Sequence, residues 1–294
     1  MAQGRPAAAA RRTMRRARRV ADVRRVIESW RSRGLSIAFV PTMGAIHDGH
    51  LSLMRRARAS ADRVVASVFV NPLQFGPKED YHRYPRPLRR DRALLRGAGV
   101  DLLWEPAVAD LYPGGERTRV RVTGLEDVME GRSRPGHFAG VATVVLKLLN
   151  VVMPDELWLG QKDAQQARLI ERMCSDLLLP VRVRRGATVR ERDGLAMSSR
   201  NAYLSARERV AAAALPRALA AARSALERGE RSVARLASEV RRVWRGERGV
   251  REDYVAVVDA DTLAPVTRVR KRVLVAVAAR VGPARLIDNF EWQP

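Results

Sequence analysis

Ile37-Ala38-Phe39-Val40-Pro41-Thr42-Met43-Gly44-Ala45-Ile46-His47-Asp48-Gly49-His50 decides how the rest of this sequence is read. Four apolar residues make a short buried strand, which Pro41 and Gly44 close. A turn with two glycines and two histidines follows, and Leu51–Ala59 then reads as a helix. Strand, glycine-bearing turn and helix in that order form the first half of a βαβ unit. In open α/β sheets ligands collect at the carboxyl ends of strands, next to helix N-termini.

The same rhythm runs outward from this stretch. Residues 21–33 read as an amphipathic helix ending near Gly34. Val64–Val70 is a second strand, stopped by Asn71-Pro72. Arg89–Arg96 reads as a helix and Val100–Trp104 as a third strand. Val141–Val152 places Val141, Val145, Leu148 and Val152 on one helical face. Leu157–Leu159 is a fourth strand, Ala164–Leu178 a helix, and Val181–Val183 a fifth strand. Short apolar strands alternating with helices predict a Rossmann-like, doubly wound parallel sheet covered on both faces.

The rhythm changes after about residue 188. Ala206–Leu226 and Val233–Trp244 read as two helices separated by Arg228-Gly229. Tyr254–Val258, Val273–Ala278 and Ala284–Ile287 read as strands. This predicts a smaller α+β domain over 189–294, with a helical pair on an antiparallel sheet, after a Rossmann-like domain over 21–188.

Composition narrows the classes. The 294 residues are 46% apolar, enough for a sizeable core, and no run approaches the ~20 apolar residues of a membrane helix. The single cysteine, Cys174, excludes an intrachain disulfide and a thiolate zinc site, and it fits a reducing compartment, the cytoplasm. The net charge of +23 raises nucleic acid as a partner. Its distribution argues otherwise. Residues 1–25 are net +8 and residues 181–294 net +11, whereas 26–180 are only +4. Aromatics, at 5%, are too few for stacking on single strands, and no RNP, KH or zinc pattern is present. Only four of the 55 basic residues are lysine, a bias that a GC-rich genome produces. Residues 1–20, arginine-rich and without an acid, lack a signal-peptide h-region. Their composition also suits an organelle transit peptide, but they read first as a disordered extension or as sequence ahead of a start at Met14.

Two motifs carry chemistry. His47 and His50 lie three apart at a helix start, so they share a face and can donate to phosphate oxygens or a leaving pyrophosphate. The turn is not a P-loop, because G-x-x-x-x-G-K-[ST] is missing. Histidines at this spacing also suit a metal, but no third ligand lies nearby. Met197-Ser198-Ser199-Arg200-Asn201 supplies hydroxyls and a guanidinium in a loop, a good polyphosphate ligand set.

Together these motifs resemble the nucleotidylyltransferase superfamily. Further blocks resemble one family within it. They are Asn71-Pro72-Leu73-Gln74-Phe75, Tyr84-Pro85-Arg86, Arg134-Pro135-Gly136-His137-Phe138, Gly160-Gln161-Lys162-Asp163-Ala164-Gln165-Gln166 and Arg285-Leu286-Ile287-Asp288-Asn289. In this order, from about Arg24 to Asn289, they are similar to the pantothenate synthetases (pantoate–β-alanine ligases). Another adenylate-forming ligase would share the histidine motif but not the Asn71–Gln74 and Gln166 blocks.

The resemblance implies a condensation of pantoate with β-alanine, driven by ATP through a pantoyl adenylate, in a homodimer that binds neither nucleic acid nor membrane. It implies an ATP site over Met43, Gly44, Ala45, Ile46, His47, Asp48, Gly49 and His50, joined by Gly160, Gln161, Lys162 and Asp163. Val189, Met197, Ser198, Ser199 and Arg200 complete it. His50, His47 and Lys162 are implied as catalytic, with His50 as proton donor. Gln74 and Gln166 would hold pantoate, and Gln74 would also contact β-alanine. Magnesium would enter mainly on the ATP phosphates, with Asp91 as the candidate protein ligand. Three positions depart from the family pattern: Arg89 and Arg90 stand where acids are common, and Gln161 replaces a glutamate.

Overall fold

A computed structural model describes residues 13–77 and 79–294. In chain order the first part contains β1 (Arg15–Ala17), α1 (Val20–Arg31), β2 (Ile37–Thr42), α2 (Asp48–Ser60), β3 (Arg63–Val68), α3 (Leu88–Gly97) and β4 (Leu102–Trp104). Two short helices follow, α4 (Val108–Leu111) and α5 (Met129–Ser133), then α6 (His137–Val152), β5 (Glu156–Gly160), α7 (Ala164–Asp176) and β6 (Arg182–Gly186). The last part holds α8 (Ala206–Ala212), α9 (Ala214–Glu227), α10 (Val233–Arg245), β7 (Val250–Asp259), β8 (Val273–Val281) and β9 (Ala284–Trp292).

Strands β1–β6 form one parallel sheet in the order β1-β4-β3-β2-β5-β6. Side chains alternate between its faces, as the two-residue period of a strand requires. Phe39, Val65, Leu102 and Leu157 enter a core under α1, α6 and α7, whereas Ala38, Val40, Val64, Ala66 and Leu103 enter a second core under α2 and α3. The strand order reverses at β2, which has β3 on one side and β5 on the other. The crevice beyond the carboxyl ends of β2 and β5 is therefore the topological switch point where ligands bind.

Strands β7-β8-β9 form an antiparallel sheet. One face packs on α9 and α10 through Leu219, Leu236, Val240, Val275 and Val277. The other carries Leu274, Ala276 and Val258 against Met129 and Ala164 of the first part. This second contact seats β9 beside the end of β5.

Three sequence expectations need correction. The reading of everything through residue 20 as an extension outside the fold does not hold: Met14 and Ala17 are buried, and Arg15–Ala17 pairs with Leu102–Trp104 as an edge strand. A three-residue strand with adjacent arginines has too little apolar periodicity to be legible. Residues 1–12, the rest of that extension, lie outside the described residues. The helix expected over Ala206–Leu226 is two helices, because Pro216 has no N–H to donate to Ala212 and the chain turns at Ala213. Helix α6 starts at His137, four residues earlier than the apolar pattern indicates.

Candidate active site

The turn after β2 is built from its backbone outward. Both Asp91 oxygens accept main-chain N–H groups, Oδ2 from Ala45 (2.9 Å) and Oδ1 from Ile46 (2.8 Å). Ala45 has φ +51°, a strained value for a residue with a β-carbon, and this carboxylate holds it there. Ile46 then buries its side chain in the core behind α2. Asp91 is 1% exposed, and burial pushes its pKa up against the lowering effect of the two N–H groups. It anchors the loop. Each oxygen accepts one main-chain N–H, so the placement of Asp91 in this structure is that of a loop anchor. Among the described residues no group of three or more His, Cys, Asp or Glu is placed to hold a metal ion.

His47 caps α2. Its Nδ1 accepts from the Gly49 N–H (3.1 Å), and the His50 Nδ1 accepts from the His47 N–H (3.4 Å). A β-carbon on residue 49 would lie 2.8 Å from His47 Cε1, so only glycine lets the imidazole fold over the helix start. The rings sit 4.0 Å apart, centroid to centroid. Burial, then the Lys162 charge, lowers the His47 pKa to about 4. Burial, then His47 and Lys162, holds His50 well below its ordinary value. Each imidazole is thus neutral with Nδ1 occupied as an acceptor, which places the proton on Nε2. The motif is a pair of neutral N–H donors beside the lysine.

A cavity of about 220 Å³ occupies the switch point. Met43, His47, Gly49, His50, Gln74, Gly160, Lys162, Asp163, Gln166, Val189, Met197, Ser198, Ser199 and Arg200 all line it. The structure thus gathers most of the sequence-derived site. Gly44, Ala45, Ile46 and Asp48 belong to the same turn but lie outside that wall. Gln161 also turns away. Its amide donates to Asn289 Oδ1 (3.3 Å) and Glu291 Oε1 (3.4 Å), and its oxygen accepts from Arg185 (3.2 Å). Gln161 therefore ties the β5 turn to β9. Asn289 completes that tie by donating to the carbonyls of Gln161 (3.0 Å) and Lys162 (2.8 Å).

A larger chamber of about 430 Å³ adjoins the first. Lys162, Gln166, Arg134, His137 and Arg200 border both. The Gln166 side chain makes no hydrogen bond among the described residues, whereas neighbouring Gln165 is buried and fully spent on Glu130, Leu125 and Val128. Gln74 is 8% exposed, and its Oε1 accepts from Asn71 Nδ2 (3.1 Å). Arg200 pairs with Asp80, and Ser199 Oγ lies 3.1 Å from the Tyr84 hydroxyl. The loop between Phe75 and Pro87 therefore closes against the serine–arginine turn. Thr188 also lines the smaller cavity, with its buried Oγ1 unpartnered among the described residues. Nothing in the sequence distinguishes this threonine, and sequence reasoning missed it.

A doubly wound sheet with neutral histidine donors and a lysine at its switch point, faced by a serine–arginine turn, has the nucleotidylyltransferase type of fold. The comparisons are more particular. The pantoate-beta-alanine ligase family profile matches residues 15–291. The pantothenate synthetase of Moorella thermoacetica is 52% identical over 270 residues, covering 92% of this chain and 95% of that protein. The crystal structure of pantothenate synthetase from Thermus thermophilus superposes with a TM-score of 0.90 at 49% identity, covering 96% of this chain and all of that one. The pantoate-beta-alanine ligase of Francisella tularensis, complexed with a β,γ-ATP compound and β-alanine, gives a TM-score of 0.77 at 33% identity, covering 95% and 97%. This chain belongs to the pantoate–β-alanine ligase family. Membership makes it a pantothenate-forming, ATP-dependent ligase.

Proposed function

We propose that the two adjoining cavities carry out two consecutive steps, and that the neutral His47–His50 pair beside Lys162 is the observation that carries this reading. In the first step a pantoate carboxylate oxygen bonds to the α-phosphorus of ATP and the bond to the β-phosphate oxygen breaks. This yields pantoyl adenylate and pyrophosphate. In the second, the β-alanine amine bonds to the acyl carbon, the acyl–phosphate bond breaks, and AMP leaves as the amine gives up a proton.

The first step accumulates negative charge on phosphate oxygens and needs placed donors more than a covalent helper. The His47 and His50 Nε2–H groups, the Lys162 ammonium and the Ser198 and Ser199 hydroxyls supply them. Neutral imidazoles donate without binding pyrophosphate so tightly that it fails to leave. The Gln74 and Gln166 amides suit pantoate, because they bind a hydroxyl and a carboxylate without neutralising the nucleophile. Thr188 Oγ1 adds a donor for the nucleotide.

Magnesium would enter as the counter-ion of the ATP phosphates, as it commonly does at nucleotide sites. No helix among the described residues is long and apolar enough to cross a membrane. A cytoplasmic homodimer, with a nucleotide-binding unit through about residue 188 and a smaller unit after it, completes the reading.

The test is to incubate the protein with ATP, magnesium, pantoate and β-alanine and to measure AMP. AMP that requires pantoate supports the reading. AMP formed without pantoate, or none at all, refutes it.

A further inference from the structure

Among the buried titratable groups that the chemistry above does not use is a histidine at the border of both cavities. His137 opens α6, is 8% exposed, and has both ring nitrogens engaged. Arg134 Nη1 lies 3.0 Å from Nε2, and a guanidinium only donates, so Nε2 is the acceptor. The ring proton is therefore on Nδ1, which donates to the Gln74 carbonyl at 2.9 Å. Arg134 Nη2 reaches the same carbonyl at 3.3 Å. Arg134 is itself held by a fork to Glu79, with both contacts at 2.7 Å. Burial, reinforced by the Arg134 charge, lowers the His137 pKa to about 4, so the ring stays neutral and keeps its acceptor.

The side-chain end of Gln74 is equally determined. Asn71 Nδ2 donates to Gln74 Oε1 and to the Gly140 carbonyl, both at 3.1 Å. Asn71 Oδ1 accepts from the Tyr112 hydroxyl (2.8 Å) and the Leu73 N–H (3.3 Å). With Oε1 committed, Gln74 turns its Nε2 donors along the cavity, where the thioether of Met43 lies at 3.1 Å. A β-carbon on Gly140 would lie 2.3 Å from the Leu73 carbonyl oxygen, so the Pro72–Gln74 turn sits directly on the start of α6.

We propose that His137 is a positioning residue for pantoate: its Nδ1–H tautomer, fixed by Arg134, pins the Gln74 carbonyl so that the Gln74 amide meets the acyl substrate in one orientation. This rests on the reading that Gln74 contacts pantoate. His137 touches no reacting atom, so its loss should appear in pantoate use and not in ATP use.

The experiment is steady-state kinetics on the full-length protein with each substrate varied in turn. It compares wild type, His137→Phe and His137→Asn, with a thermal melt for each. The Phe variant keeps a ring and loses both hydrogen bonds, and it should raise the pantoate KM about tenfold with the ATP KM within about twofold. Asn restores a donor near the Nδ1 position and should recover most of the loss. His137→Gln, whose amide lies nearer the Nε2 position, should keep the defect and serves if the Phe variant does not fold. A normal pantoate KM in the Phe variant, an equal rise for all three substrates, or Asn no better than Gln would overturn the proposal. Wild-type protein is assayed first. If it forms no pantoate-dependent AMP, the functional reading itself fails, an outcome distinct from active wild type with an unaffected variant.

Discussion

Arg200 and Asp80 are joined by two hydrogen bonds, of 2.9 and 3.2 Å, across the mouth of the cleft. The guanidinium that the family resemblance implies for the ATP phosphates is thus occupied by a carboxylate from the loop after β3. On that reading an arriving phosphate competes with Asp80 for it. Asp80→Asn keeps the shape and removes the charge, so the ATP KM should fall by a factor of about 3–10. Arg200→Ala should raise it. Initial rates against ATP concentration check both, and a raised KM for Asp80→Asn would mean that Asp80 organises Arg200 for ATP.

Asp91 gives a second contrast. Asp91→Asn leaves one of the Ala45 and Ile46 N–H groups without an acceptor, which costs about 1–3 kcal/mol of stability. The ATP KM should rise by the same factor at every magnesium concentration. Urea unfolding and a magnesium titration separate the alternatives. A variant with normal stability and a shifted magnesium requirement would make Asp91 a metal ligand and not a loop anchor.

His50 and Lys162 each place a donor at the switch point. Removing either by alanine should slow adenylate formation by on the order of 10²–10³, the usual cost of losing a transition-state donor. Single-turnover measurement of AMP-linked intermediate shows this directly. Near-normal rates would remove that residue from the chemistry.

The histidines also make stability depend on pH. His47 and His137 have folded pKa values of about 4, against an ordinary 6.5, so the unfolded chain binds more protons between those values. Stability should therefore be unaffected by these groups above pH 6.5 and should fall as pH drops from 6.5 towards 4. The slope approaches about 1.4 kcal/mol per pH unit for each histidine. Urea midpoints at about pH 7.5, 6 and 5 test the sign, and a flat profile over that range would contradict the neutral burial described here.

The sequence by itself determined the architecture of the parallel sheet and the residues that could do chemistry. Alternating apolar strands need both faces covered, and a glycine-punctuated turn after a strand has few uses other than holding a ligand at a helix start. Local pattern therefore sufficed for β2, the His47–His50 turn and the serine–arginine block. It could not say which way a side chain points. Asp91 and Gln161 sit in the expected blocks, yet one anchors Ala45 and Ile46 and the other ties the β5 turn to β9. The Arg200–Asp80 pair and the links of Glu79 to Arg134 and of His137 to Gln74 join residues tens to more than a hundred positions apart, and Thr188 meets the cavity only through the fold. Only the packed structure decides such contacts, because a hydrogen bond depends on ångström distances and donor direction, neither of which residue order encodes.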